Sequence, residues 1–188
     1  VLRISGGEWR NRSLKWLDIP EIRPTSAKVR EALFQILKDE LVDAVCWDLC
    51  AGSGIMGFEA LSRGAEKVIF VEKNKRAAGL IRQNIEKFEI QAQAQVIPAD
   101  LLVFLRRSRE PVDLIYIDPP YASPVYRPLM QVLDQTVSEW GKPNTKLCIE
   151  HRKDRQLELE TLQNWQFQQT RNYGDTRISF FIPRLSET

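Results

Sequence analysis

The stretch Val45-Cys46-Trp47-Asp48-Leu49-Cys50-Ala51-Gly52-Ser53-Gly54-Ile55-Met56-Gly57-Phe58-Glu59-Ala60 decides the fold. Val45 to Cys50 is an apolar run of strand length broken by one acid, Asp48. Ala51, Gly52, Ser53 and Gly54 carry almost no side chain, and from Ile55 the pattern turns helical until Arg63-Gly64. A strand that feeds a glycine-rich turn into a helix is the ligand-binding corner of a doubly wound α/β sheet. Without a Cβ in the way, backbone N–H groups there approach a ligand closely. The helix N-terminus adds a partial positive charge.

Gly52, Gly54 and Gly57 satisfy the dinucleotide spacing G-x-G-x-x-G, but a phosphate-binding P-loop would need a lysine that is absent. Asp48 discriminates further. An anion in the strand before the first glycine repels a pyrophosphate and suits a ligand carrying an amine or a sulfonium. The pattern D-x-x-A-G-x-G, as Asp48 to Gly54, resembles the first motif of class I S-adenosylmethionine (AdoMet) methyltransferases. A small-residue turn that packs tightly without any ligand is the competing reading.

Outward from this corner, Lys67 to Glu72 reads as the second strand, with Glu72 at its carboxyl end, 18 residues after Gly54. An acid so placed accepts hydrogen bonds from adenosine ribose hydroxyls. Lys73 is grouped with it in the cofactor-binding set. Asn74 caps the next helix. Ala94 to Ile97 is a third strand, and Asp100 just beyond it either accepts from an adenine amino group, with the Leu101 backbone nearby, or caps the helix Leu101–Arg106; one residue can do both. Val112 to Ile117 is the fourth strand and ends in Asp118-Pro119-Pro120-Tyr121. Two prolines make a rigid extended loop that holds the residues flanking them. An exocyclic amine on a base is a weak nucleophile because its lone pair is delocalised into the ring. A carboxylate beside it accepts its N–H bonds and favours a pyramidal nitrogen, while an aromatic ring stacks on the extruded base.

Before the corner, residues 2–17 alternate loosely around Gly6-Gly7, which reads as a hairpin or bent strand. Arg3, Trp9, Arg10, Arg12 and Arg23 make an RNA-binding set: guanidiniums for phosphate, a ring for a base. For Trp9, packing on the body is an equal alternative. Residues 1–30 hold seven basic and three acidic residues in a chain whose net charge is +2, so the positive charge is concentrated at one end. Thr25 or Ser26 caps a helix whose apolar face is Val29, Leu33, Phe34 and Leu37; this polar segment is placed to close over a cofactor, and Lys28 and Arg30 read as solvated charges. After the fourth strand come a helix from about Ser123 to Val137, a strand Lys146–Glu150, a connection beginning at Gln156 to Leu159, and a closing hairpin of Trp165–Arg171 and Thr176–Ile182. The single histidine, His151, is not assigned a role.

The 188 residues, 43% hydrophobic and 28% charged, fit one globular domain with a core of its own. No apolar run is long enough for a membrane span and no signal-peptide pattern opens the chain, so a cytoplasmic protein without membrane association is expected. Cys46, Cys50 and Cys148 lack metal-type spacing; buried free thiols and no metal are expected.

Taken together, Leu2 to Arg12, Ile22-Arg23-Pro24-Thr25, Val29 to Phe34, Cys50 to Gly54, Glu59 to Ala65 and Asp118 to Tyr121 resemble the RsmD-type methyltransferases over nearly the whole chain. The resemblance implies a Rossmann-like class I methyltransferase sheet of seven strands, the last antiparallel, with helices on both faces and a small N-terminal hairpin. It implies an N-terminal RNA-binding arm over 1–20 and an AdoMet-dependent domain over 21–188. It further implies AdoMet as cofactor, S-adenosylhomocysteine (SAH) as product, and methylation of a guanine N2 in 16S rRNA, of the position-966 type, in the 30S subunit; a monomer is expected. Gly52 and Gly54, with Ala51 and Ser53 between and before them, would line the methionine part, Glu72 the ribose, Asp100 the adenine, and Asp118 with Tyr121 the target base. Other readings stay open: an amino-methyltransferase on adenine N6 or a protein glutamine, an NAD-dependent dehydrogenase, and a non-catalytic RNA-binding module. The dehydrogenase leaves Asp48 and the D-P-P-Y stretch unexplained.

Overall fold

The computed structural model describes residues 1–20, 22–120, 124–157 and 162–185. Five β-strands, β1 (Val45–Leu49), β2 (Lys67–Val71), β3 (Ala94–Ile97), β4 (Val112–Ile117) and β5 (Gly141–Arg152), lie parallel. Two more, β6 (Trp165–Tyr173) and β7 (Thr176–Pro183), form a hairpin whose β7 runs antiparallel to β5. The order is β3-β2-β1-β4-β5-β7-β6, so the last strand inserts between the fifth and the sixth. The seven-stranded Rossmann-like sheet with its reversed last strand is the architecture expected from the sequence.

Side-chain alternation sorts the core into two layers. Cys46, Val68, Phe70, Leu114, Cys148, Ile178 and Phe180 face the helices α1 (Ala27–Ile36), α2 (Ile55–Ser62) and α3 (Lys75–Phe88). Trp47, Ile69, Ile115, Leu147 and Phe181 face α4 (Leu101–Arg107) and α5 (Tyr126–Trp140). Because both faces are covered, the central strands read as continuous apolar runs. Trp47 anchors the second layer, with ring centroids 4.9 Å from Phe104 and 5.2 Å from Trp140. Gly57 is required by packing: a Cβ there would lie 2.2 Å from the Phe70 ring, so the third glycine of the spacing seats α2 on the sheet.

Several boundaries move. β5 extends from Gly141 to Arg152, beyond the expected Lys146–Glu150 at both ends, because Gly141 pairs with Val112 of β4 and His151 and Arg152 pair with Arg177 and Thr176 of β7. α5 begins at Tyr126 and continues to Trp140, since Trp140 is buried on the apolar face of the helix. The expected start at Ser123 and the connection at Glu158-Leu159 lie outside the described residues.

The N-terminal segment is a hairpin with one antiparallel bridge, Arg3 to Ser13, supported by Ile4 N–H to Arg12 O (3.0 Å) and Leu14 N–H to Leu2 O (2.9 Å). Ile4 and Leu14 are buried in the same core layer as α1 and α2. Arg30 corrects the reading of a solvated helix charge. It is 4% exposed, and its guanidinium donates to Glu59 Oε1 (2.9 Å), Thr25 O (2.6 Å) and Arg3 O (2.7 Å). Glu59, fully buried, also accepts from Ser5 N–H at 2.7 Å and from Arg63. Gly6 O accepts from Ser62 Oγ at 2.7 Å. Further along, Asn84 bonds both backbone groups of Lys15, at 2.7 and 2.9 Å. The arm is thus stitched to α2 and α3 along its length.

Candidate active site

A cavity of about 870 Å³ opens at the carboxyl ends of the parallel strands, within the range of cofactor sites. This edge, beside the point where strand order reverses from β1-β2 to β1-β4, is where α/β sheets bind ligands. The glycine turn forms one wall. Gly52 sits at φ +54, and a Cβ on it would lie 2.7 Å from Ile22 Cγ2, so the chain entering α1 passes directly over the turn. Ala51 and Ser53 line the cavity with it. Gly54 lies behind this wall as the cap of α2, its Cα facing Ile81, Phe58 and Phe70.

Each strand end contributes an acid. Asp48 in β1 is 3% exposed and accepts from Gly57 N–H at 2.9 Å. Burial raises its pKa to about 7, partly opposed by that hydrogen bond and reinforced by the charge of Glu72. Glu72, after β2, accepts from Gly52 N–H (2.8 Å, Oε2) and Asn74 N–H (2.7 Å, Oε1). It ties the glycine turn to the start of α3 while bordering the cavity. A carboxylate oxygen accepts two hydrogen bonds, so each retains acceptor capacity for ribose hydroxyls. Asp100, after β3, caps α4 through Leu102 N–H at 2.9 Å and also faces the cavity, so both expected roles remain compatible. Lys73 and Leu101 complete this part of the lining.

Asp118, Pro119 and Pro120 line the same cavity after β4. Asp118 N–H donates to Leu49 O at 3.3 Å, which sets the loop against the end of β1. Tyr121 lies outside the described residues. The register brings in a residue that sequence reading missed: Ile117 pairs with Ile149, so Asp118 and Glu150 stand side by side. Glu150 is 3% exposed and accepts from the Tyr116 hydroxyl, which also lies 3.5 Å from Thr25 Oγ1. Burial, with the charges of Glu150 and Asp48, holds the Asp118 pKa well above the usual carboxylate range. An acid at a strand's carboxyl end was the available signal for Glu150; its neighbour across the sheet was not. Tyr126 fixes this region from below by donating toward Pro119 O and Glu150 O, each at 3.3 Å.

The expected RNA-binding residues divide. Arg23 is exposed at the cavity. Arg3, Trp9, Arg10 and Arg12 lie elsewhere. Trp9 is half-buried, its ring 5.2 Å from Phe88, and the Arg12 guanidinium lies 4.0 Å from the Phe88 centroid. Phe88 ends the 14-residue α3, whose other end meets the cavity, so Trp9 and Arg12 stand roughly 20 Å along that helix from the site. His151 is structural: its ring nitrogens lie 2.9 Å from Ser179 Oγ and 3.0 Å from Arg152 O, and burial lowers its pKa. Among the described residues no His, Cys, Asp and Glu group is arranged to hold a metal, and no helix is long and apolar enough to cross a membrane.

Comparison with known proteins agrees with this geometry. The family model described as conserved hypothetical protein 95 matches residues 2–182. Ribosomal RNA small subunit methyltransferase D of Haemophilus influenzae is 36% identical over 167 residues, which cover 87% of this chain and 84% of that protein. The Escherichia coli K12 protein of the same name is 38% identical over 120 residues, covering 64% of this chain and 60% of that protein. The solved structure of yhhF from Escherichia coli superposes with a TM-score of 0.83 at 27% identity, over 98% of this chain and 99% of that one. The chain belongs to the conserved hypothetical protein 95 family, that of the RsmD-type methyltransferases.

Proposed function

We propose that this chain transfers a methyl group from AdoMet to the exocyclic N2 of a guanine in 16S rRNA of the small ribosomal subunit, at a position-966 type site. The observation that carries this reading is the meeting of Asp118-Pro119-Pro120 with Asp48, Glu72 and the glycine turn in one cavity. The kinship to ribosomal RNA small subunit methyltransferase D supports an rRNA substrate.

The residues fit AdoMet. Glu72 is held with acceptor capacity toward the cavity for a ribose, and Asp100 offers an acceptor at the next strand end for adenine. Ala51, Gly52 and Ser53 leave room for the methionine part, and Asp48 contributes negative charge beneath the turn. AdoMet supplies a methyl on a sulfonium and leaves as the thioether SAH. Asp118 accepts an N–H bond from the target amine and orients its lone pair. As the N–C bond forms, the amine sheds a proton. The positive charge of the sulfonium favours the ionised form of Asp118, and the raised pKa makes that carboxylate basic enough to take the proton and pass it to solvent. Pro119 and Pro120 hold the carboxyl in place, and Tyr121 supplies a ring for the extruded base.

The test is transfer of labelled methyl from AdoMet to undermethylated 30S subunits, naked 16S rRNA and bulk protein. Label in rRNA is expected. Asp118→Ala is expected to lower that transfer on the order of 10²- to 10⁴-fold while AdoMet still binds. Label in protein alone, or none with any substrate, would overturn the proposal.

A further inference from the structure

Glu72, Asp100 and Glu150 border the cavity beside the buried acids Asp48 and Asp118, and negative charge there repels a phosphate backbone. An RNA that delivers a base to Asp118 therefore needs cations at the rim, and the N-terminal arginines other than Arg23 stand far along α3. The β5-β7-β6 edge of the sheet supplies them. Residues 151–157 and 171–177 contain Arg152, Lys153, Arg155, Arg171 and Arg177 against Asp154 and Asp175.

Strand register places part of this set. Arg152 of β5, Thr176 of β7 and Tyr173 of β6 form one cross-strand row, and Glu150, Ile178 and Arg171 form the row beside it. Directly opposed residues share a face, and positions two apart along a strand share it as well. Ile178 faces the α1–α2 layer, so Arg152, Tyr173 and Arg171 lie on the face that also carries Glu150. Arg152, Tyr173 and Thr176 line the cavity. At roughly 5 Å per strand step, the Arg171 backbone stands about 15 Å from that of Asp118, a few nucleotides away. The platform is braced. Lys153 N–H donates to Asp175 O at 2.9 Å, and its ammonium pairs with the Asp175 carboxylate at 2.5 Å. Thr170 Oγ1 lies 2.8 Å from Ser179 Oγ, which also meets His151. Tyr173 packs half-buried against the core layer, which fixes its ring.

We infer that the tip of the β6–β7 hairpin is a second RNA-contacting element: Tyr173 stacks on a base at the cavity mouth, and Arg171 with Arg152 binds the phosphates flanking the target guanine. The inference rests on the rRNA reading above. An aromatic ring at the edge of a site, with arginines on the same sheet face, is the combination that grips single-stranded RNA in any sequence.

Binding to undermethylated 30S subunits is measured against salt for the full-length wild type, Arg171→Ala, Tyr173→Ala and Tyr173→Phe, with methyl transfer by each in parallel. Arg171→Ala is expected to raise KM for the subunit several-fold, to leave AdoMet affinity unchanged, and to reduce the slope of log K against log salt by about 0.7–0.9. Tyr173→Ala is expected to weaken RNA binding by roughly 5- to 150-fold, with Tyr173→Phe close to wild type. Wild-type affinity and salt slope in Arg171→Ala, while the wild type methylates the same subunits, would overturn the inference and leave the rRNA reading intact. No methylation of rRNA by the wild type would remove the reading beneath it, and the inference with it.

Discussion

Two buried glutamates organise two regions of this molecule, and they end in opposite chemistry. Glu59 in α2 receives Ser5 N–H, Arg30 and Arg63, is fully buried, and fastens the N-terminal arm to the body. Glu72 at the end of β2 receives only backbone N–H groups, from Gly52 and Asn74, and borders the cavity. An acid held by two guanidiniums and a backbone amide inside the core is a fastener. An acid held by amides on one side and open to a cavity on the other is a place for ligand hydroxyls. Residue type is the same and both are buried; what distinguishes them is that Glu72 keeps an edge on the cavity toward which its remaining lone pairs can point.

The largest effect expected, apart from that proposed for Asp118→Ala, is on stability. Glu59→Ala leaves Arg30 buried without its carboxylate, and a loss of about 3–5 kcal/mol in denaturant unfolding is expected. A loss below about 1 kcal/mol would show that the pair is not a fastener and would erase the contrast. Glu72→Gln should do the reverse. With the fold kept, AdoMet affinity measured by calorimetry is expected to drop roughly 10- to 100-fold, the scale of a charge-assisted hydrogen bond. Unchanged affinity would place Glu72 with Glu59 as purely structural.

The contrast also marks what the sequence reveals. The glycine corner is legible because its determinants are local: a strand, a turn of small residues and acids at or just past the carboxyl ends of strands. Asp48, Glu72, Asp100 and Asp118 all fall at the cavity for this reason. Glu150 was not legible as a site residue, because its place beside Asp118 depends on β4–β5 register across more than thirty intervening residues. Arg30 looked like a solvated helix charge, since nothing local shows that Glu59, two elements later, faces it. Arg10 and Arg12 were visible as a basic cluster, but their distance from the cavity follows only from where the arm docks on α3. The same limit hid Arg171 and Tyr173, which reach the cavity side through the insertion of β7 between β5 and β6.

A smaller effect sharpens the role of charge beneath the glycine turn. Asp48 keeps its proton in the unliganded fold up to about pH 7, whereas the unfolded chain releases it near 3.8. The native state thus binds the extra proton between those values, so this group makes the unliganded protein less stable as pH rises through that window. A cationic ligand favours the ionised form. AdoMet affinity is therefore expected to rise with pH up to about 7, by at most about tenfold per unit, and then to level off. Asp48→Asn should flatten the profile; a profile that keeps its rise in the variant would assign it to another group. The smallest effect belongs to the arm. Arg10→Ala with Arg12→Ala is expected to lower the salt slope of RNA binding by about 1.4–1.8 and to leave AdoMet affinity unchanged. Equal loss of both affinities would make these arginines part of the fastening.

The central claim is tested most directly by the chemical identity of the methylated nucleoside. Undermethylated 30S subunits are incubated with this protein and labelled AdoMet, the 16S rRNA is digested to nucleosides, and the labelled product is identified by mass spectrometry. N2-methylguanosine from a single site is the result predicted here. N6-methyladenosine, or label confined to ribosomal protein, would contradict it.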